Sequence, residues 1–320
     1  MLNPVYPTKR VLALALAAAL LAGCSSTATS PTASTTAKSS GTASTAAGSA
    51  SPTASATTSA AFAALESRYH ANLGLYAIDT GTGSTVAYNA DKRFAFCSTF
   101  KTFATGILLQ RDTNQQLSQV VKYTKADILS YAPITSQHLA TGMTVSALMA
   151  AALDYSDNTA ANLLLRQIGG PSAFQAALRA EGDATSNVDR NEPTLNSNTP
   201  GDTRDTTTPR TAAADLRTFA LGSALTATRR AQLVAWLQAN TTGGPYIRAA
   251  VPSGWKVGDK TGSGDYGARN DIAVIWPPDN AAPIVIAIYT NRGDNANATS
   301  NDALISDATK VALRPLTGQA

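Results

Sequence analysis

The chain has 320 residues, 44% of them hydrophobic and only 14% charged, room for two or three small domains or one large one with appendages at roughly 100–200 residues per domain. The low charge, against an average of about 25%, reflects Ala, Thr, Ser and Asn, much of it before residue 60. A net charge of +4 without a basic cluster argues against nucleic-acid binding, and two His with two Cys argue against a zinc site, which needs three or four ligands; neither metal nor cofactor is expected.

At the amino end, Lys9-Arg10 precedes an apolar run from Val11 to Ala22 that exits through Leu21-Ala22-Gly23-Cys24. A basic start, a short apolar core and small exit residues read as a secretory signal over 1–23. At about 12 residues the run is too short for a mature membrane span. Residues 24–60 are almost wholly Ser, Thr, Ala, Gly and Pro, with Lys38 the one charge. Without apolar side chains larger than Ala, this stretch cannot offset its ordering entropy, and it is expected to be a disordered tether. Its r.m.s. span would be roughly 30–36 Å.

From Phe62 the composition turns globular, which places the catalytic domain at 61–320. Strands are expected at 73–79 and 84–89 around a Thr-Gly-Thr-Gly turn. A helix is expected from Ser98, and another at 144–154, where Val145, Leu148, Met149, Ala152 and Leu153 recur at helical spacing. Further helices fit 158–168, 171–181, 211–222 and 227–240, strands fit 255–260, 268–276 and 283–290, and a last helix fits 301–313. Strands at both ends of the domain with a helical block between them suit one antiparallel sheet covered by helices, with a helical insert beside it. Between Glu181 and Pro209 almost no hydrophobic residue occurs, and a polar loop of that length is usually functional or disordered.

Three short motifs carry chemistry. Ser98-Thr99-Phe100-Lys101 places a lysine one helical turn after a serine, on one helix face, so that the amine can reach the hydroxyl. The start of a helix also favours a developing oxyanion. A second match, Ser253 to Lys256, contains Gly254 before a strand and is a decoy. Ser156-Asp157-Asn158 lies between two helices, where it also suits an N-cap. Lys260-Thr261-Gly262 closes the expected 255–260 strand and lacks the preceding glycines of a phosphate-binding loop.

Ser-x-x-Lys, then Ser-Asp-Asn 58 residues on, then Lys-Thr-Gly 104 further, is the motif set of serine β-lactamases and penicillin-binding proteins. Over about 62–316 the chain resembles a class A β-lactamase. The resemblance implies an α/β (α+β) fold with an antiparallel five-stranded sheet flanked by helices and an all-helical subdomain. It implies hydrolysis of penicillin- and cephalosporin-type β-lactams through a serine acyl-enzyme.

In that frame Ser98 is the nucleophile, and either Lys101 or a glutamate acting through water activates it. Ser156 relays a proton to the ring nitrogen, and Asn158 binds the substrate's side-chain amide. Lys260 and Thr261 orient the substrate carboxylate beside Gly262, and the N–H groups of Ser98 and Ser263 form the oxyanion hole. Arg190-Asn191-Glu192-Pro193-Thr194-Leu195-Asn196 matches the Ω-loop, with Glu192 as base on a water shared with Asn196 and Arg190 paired to Asp205. A D,D-peptidase shares the other motifs and lacks this glutamate, and a tethered sensor would need a second apolar span. Arg269 matches the arginine that supports the carboxylate, and Tyr131 an aromatic at the entrance. His70 and His138 stand outside the site.

Leu-Ala-Gly-Cys resembles a bacterial lipobox, which makes Cys24 the lipid-bearing residue. The expected location is extracytoplasmic, either membrane-anchored by lipid alone or secreted, for a monomer. Cys97 is expected to pack. The disulfide that carbapenem-hydrolysing members often form has no partner here, because Gly264 occupies that position.

Overall fold

The structure is a computed structural model that describes residues 55–318; the signal segment, Cys24 and the tether up to residue 54 lie outside the described residues. Helix α1 (Ala56–Tyr69) leads into the hairpin β1 (Asn72–Asp79) and β2 (Thr85–Tyr88). The short strand β3 (Phe94–Ala95) and a 3-10 turn (Cys97–Thr99) introduce α2 (Phe100–Arg111), followed by α3 (Asn114–Ser118). A two-residue ribbon of β4 (Val120–Val121) and β5 (Met143–Thr144) precedes α4 (Val145–Asp154), α5 (Asn158–Ile168) and α6 (Pro171–Ala180). After a long loop, β6 (Thr206–Thr207) pairs with β3, and α7 (Pro209–Ala220) and α8 (Ala227–Ala239) follow. The chain closes with β7 (Lys256–Gly264), β8 (Ala268–Trp276), β9 (Ile284–Asn291) and α9 (Asp302–Thr317).

Five strands form one antiparallel sheet in the order β2-β1-β9-β8-β7. The last strand therefore lies in the middle and joins the two ends of the domain. Its sequence is an unbroken apolar run because both of its faces are covered. Ile284, Ile286 and Ile288 join Leu73 and Leu75 of β1 beneath α1 and α9. Val285, Ala287 and Tyr289 turn the other way, into the core formed with Phe103, Leu216, Phe219 and Leu237 of the helical side. Strand β7 is left as an edge, facing the turn that carries Ser98.

Several boundaries shift by a few residues from expectation, and two of the shifts bear on the domain limit and the site. The tether was placed through residue 60 and the domain from 61, yet α1 already begins at Ala56. Phe62, Leu65 and Tyr69 are buried and hold the helix, the Ser55 side chain accepts from Thr58 N, and Ala and Thr residues extend it one turn upstream. The Lys-Thr-Gly motif does not close its strand: β7 runs on to Gly264, because pairing with β8 continues through Ser263–Arg269 and Gly264–Ala268. Both differences lengthen elements through residues of weak intrinsic preference, where tertiary pairing decides.

A chain starting at Ala61 should lose the Ser55 cap and the first turn of α1. Urea unfolding is expected to show it less stable by about 1 kcal/mol than one starting at Ala54, with turnover unchanged.

Candidate active site

Ser98 sits in the 3-10 turn just before α2, so its side chain stands at the mouth of that helix. Cys97 precedes it with φ +47°, a left-handed backbone rarely adopted by a side chain with a Cβ. One turn on, Lys101 is 1% exposed. Its Nζ donates to Ser156 O at 2.8 Å and to Asn158 Oδ1 at 2.6 Å, and it pairs with Glu192 Oε1 at 3.2 Å. Ser156 Oγ, at 3.4 Å, is a fourth acceptor, one more than the three N–H groups of an ammonium group can serve at once. The expected direct reach from Lys101 to the Ser98 hydroxyl is not what the side chains adopt. Ser98 Oγ instead faces Glu192 Oε1 at 3.5 Å, because the carboxylate and two carbonyl oxygens attract the buried cation more strongly than a neutral hydroxyl does.

The Ser-Asp-Asn segment serves two purposes at once. Asp157 is the N-cap of α5, accepting from Ala160 N at 2.8 Å, and its other oxygen takes the Ile134 and Thr135 amides. With Asp157 pinned, Ser156 adopts φ +59° and its hydroxyl meets Lys260 Nζ at 2.9 Å and Lys101 Nζ at 3.4 Å. Lys260 is fully buried on β7. Burial, and then the charge of Lys101, push its pKa down to about 7. Burial likewise lowers Lys101, and Glu192 opposes that shift. Glu192 is the carboxylate in direct contact with Lys101, and Asp157, Asp259 and Asp271 also act on the two buried amines from a distance.

The polar loop is folded without an apolar core of its own. Asp205 accepts from the amides of Asp189 and Arg190 at 2.8 and 2.9 Å and from Arg190 Nε at 2.5 Å, and Arg190 Nη1 reaches Ser197 Oγ. The pair Arg190–Asp205 thus closes the loop at its two ends. Inside it, Glu192 is followed by a cis peptide bond to Pro193. Asn162 on α5 holds Glu192 by two bonds of 2.9 Å, one to its N–H and one to its carbonyl. Asn196 donates to Glu192 Oε2, while its own Oδ1 is buried without a protein partner.

The edge strand β7 completes the wall. A Cβ at Gly262 would lie 3.1 Å from Cys97 Cβ and from Phe96 O, and one at Gly264 only 2.6 Å from Asn196 O. A side chain at Gly264 would therefore collide with the polar loop, and one at Gly262 would fit tightly against the Ser98 turn, so the two glycines let β7 lie close to both, with Ser263 between them. A cavity of about 320 Å³ opens here. Ser98, Ser156, Asn158, Asn196, Thr261, Gly262, Ser263 and Arg269 line it, and Tyr131, half exposed, stands at its rim. Arg269 donates to Ser263 Oγ, pairs with Asp302 at 3.0 Å and lies over the Tyr246 ring. Cys97 is buried, and burial pushes its thiol up, out of the reactive range. His70 and His138 are exposed, and the decoy residues Ser253 and Lys256 lie outside the cavity.

Three contributors escape the motifs. Thr242 and Tyr246 line the cavity from the segment before β7, where Asn240-Thr241-Thr242-Gly243-Gly244-Pro245 reads only as a turn. Asn162 stands four residues after Asn158 on α5, and that helical spacing alone would have placed it on the same face.

A serine at a helix mouth, a buried lysine–carboxylate pair beside it and a glycine-lined edge strand define a serine enzyme of the acyl-transfer kind. Residues 57–316 match the Beta-lactamase enzyme family. A β-lactamase of Amycolatopsis lactamdurans is 56% identical over 255 residues, 80% of this chain and 84% of that one. Beta-lactamase 3 of Bacillus cereus is 52% identical over 256 residues, 80% of each. The solved class A β-lactamase from Clostridium kluyveri DSM 555 superposes with a TM-score of 0.79 at 48% identity, covering 81% of this chain and 98% of its own. The chain belongs to the β-lactamase family, as a class A serine β-lactamase.

Asp205→Asn removes the charge that three donors converge on. Unfolding in denaturant should show a loss of about 3 kcal/mol, the cost of breaking a buried pair, and turnover should fall because Glu192 rides on the same loop.

Proposed function

We propose that this enzyme opens β-lactam rings by a two-step route in which Glu192 is the base for both steps. As a class A enzyme it hydrolyses penicillin- and cephalosporin-type antibiotics, and so confers resistance to them. The observation that carries the assignment of roles is the position of Glu192 Oε1, 3.2 Å from Lys101 Nζ and 3.5 Å from Ser98 Oγ.

Lys101 Nζ is committed to Ser156 O, Asn158 Oδ1 and Glu192 Oε1, which leaves Glu192 as the group that faces the serine hydroxyl. The lysine holds the Glu192 carboxylate in place there. Glu192 takes the Ser98 proton, directly or through one water, as Oγ attacks the ring carbonyl. The N–H groups of Ser98 and Ser263 receive the oxyanion. When the C–N bond breaks, the Ser156 hydroxyl passes its proton to the ring nitrogen and is recharged from Lys101, which takes from Glu192 the proton that left Ser98, so that the Glu192 carboxylate can act again in deacylation. The substrate carboxylate lies beside Lys260, Thr261 and Arg269, and Asn158 binds the side-chain amide. Deacylation needs a water held by two acceptors: Glu192 takes one of its hydrogens and the unpartnered Asn196 Oδ1 accepts the other.

The purified enzyme is expected to turn over a chromogenic cephalosporin many times. Glu192→Ala should lower turnover by about 10²–10⁴, with both the formation and the breakdown of the Ser98 acyl adduct slowed when followed over time by intact mass. Ser98→Ala should give neither turnover nor adduct. Wild-type turnover in Glu192→Ala would remove the carboxylate from the mechanism.

We also infer an extracytoplasmic, monomeric enzyme, held to the membrane through lipid on Cys24 or released. The basic start, the apolar run, Leu21-Ala22-Gly23-Cys24 and the Ser/Thr/Ala stretch support this. If lipid holds the enzyme, Cys24→Ala should move activity from the membrane fraction to the medium. Wild-type activity already in the medium would mean secretion.

A further inference from the structure

Thr261 does not stand alone behind the cavity wall. Its Oγ1 lies 2.6 Å from Thr242 Oγ1, and Thr242 Oγ1 lies 2.8 Å from Asn240 Oδ1. The amide orientation of Asn240 is fixed twice over. The backbone N–H of Thr242, which can only donate, points at the same Asn240 oxygen from 3.0 Å. The Asn240 nitrogen points at Asp259 Oδ2 from 2.7 Å. Asp259 is fully buried and takes Arg248 on its other oxygen, and Arg248 also donates to the carbonyls of Leu237 and Gln238. A hydrogen-bonded chain therefore runs from the end of α8 to the cavity, with a defined direction at every link except the last.

Counting hydrogens settles the last link. Each threonine hydroxyl has one hydrogen. If Thr242 gave its hydrogen to Thr261, its oxygen would face the Asn240 carbonyl oxygen at 2.8 Å with nothing between two acceptors. In the free enzyme Thr242 therefore donates to Asn240, and Thr261 donates to Thr242. A substrate carboxylate accepts only, so Thr261 must withdraw its hydrogen from Thr242 in order to serve it.

We propose that Thr242 is a positioning residue whose hydroxyl turns from Asn240 to Thr261 when Thr261 turns its own hydrogen to the substrate carboxylate. This rests on the reading of Thr261 as a carboxylate donor. Once Thr261 donates elsewhere, one oxygen–oxygen contact of Thr242 must lose its hydrogen: without the turn it is the 2.6 Å contact with Thr261, and with the turn it is the 2.8 Å contact with Asn240 Oδ1, which keeps the Thr242 backbone N–H and is relieved by a small lengthening. Thr261 Oγ1 gains a donor that holds its rotamer and polarises its O–H toward the anion. Only substrates with a carboxylate next to the lactam ring draw on this device. It therefore acts on substrate selection and capture and leaves the bond-making steps untouched.

The test uses Thr242→Val, which keeps shape and removes the hydroxyl, and Thr242→Ser, which restores the hydroxyl. Each is assayed with a chromogenic cephalosporin and with its methyl ester, beside Thr261→Val. Thr242→Val should raise KM for the acid about fivefold, in the range of one lost hydrogen bond, with kcat within twofold and the ester unaffected. Thr242→Ser should bring KM back. If Thr261→Val raises KM for the acid and Thr242→Val does not, the relay is overturned while the role of Thr261 stands. An equal rise for acid and ester in Thr242→Val would overturn it as well, as general damage to the cavity. If Thr261→Val itself leaves KM for the acid unchanged, the carboxylate reading falls and takes the relay with it.

Discussion

The site is organised around one ammonium group that water does not reach. Lys101 binds Ser156, Asn158 and Glu192 simultaneously, and those partners come from two separate segments, the α4–α5 junction and the polar loop. Burying such a charge is costly unless its acceptors are fixed in place. Each is fixed by something else: the α4–α5 junction by the Asp157 cap, and Glu192 by Asn162 and Asn196. The cation thus demands a rigid surround, and the rigid surround is what holds a carboxylate at the serine. Lys260 brings a second buried amine to the same enclosure, and burial together with the charge of Lys101 lowers its pKa to about 7.

The fold follows from which strands can be covered on both faces. The apolar run of β9 is legible as a strand, but its place at the centre of the sheet is not, since pairing with β1 and β8 spans most of the domain. The three motifs identified Ser98, Lys101, Ser156 and Lys260 as residues that come together, because their spacing is carried by local helix and strand geometry. The loop closure by Arg190 and Asp205 was also readable, from residue type within one segment. Two kinds of information were hidden. One is the choice among several acceptors for a buried donor, as with Lys101 and Glu192, which depends on packing across the chain. The other is the contribution of turn residues such as Thr242 and Tyr246, whose local sequence says only that the chain bends there.

The polar loop shows how a segment without a hydrophobic core can still be ordered. Its carboxylates accept backbone amides: Asp183 takes Thr185 and Ser186, and Asp205 takes Asp189 and Arg190. Side-chain oxygens do for the loop what a neighbouring strand does in a sheet. Beneath the loop, Asp215 on α7 is buried near Asp183, and burial together with that neighbouring charge pushes its pKa up to about 8. The loop's polarity is therefore its scaffold as well as its chemistry.

Cys97, Gly262 and Gly264 form an interlocked trio. The cysteine occupies a left-handed backbone where glycine would relax, and the two glycines occupy strand positions where side chains would be normal. Space given up on one element is taken by the other. Cys97 is not the whole constraint, since a Cβ at Gly264 also meets Asn196 O and one at Gly262 also meets Phe96 O, and a smaller residue in the turn would leave those backbone oxygens where they are. Over evolutionary time a side chain on this strand is expected to arrive only together with a shift of the strand, the turn or the loop, and seldom as an isolated change.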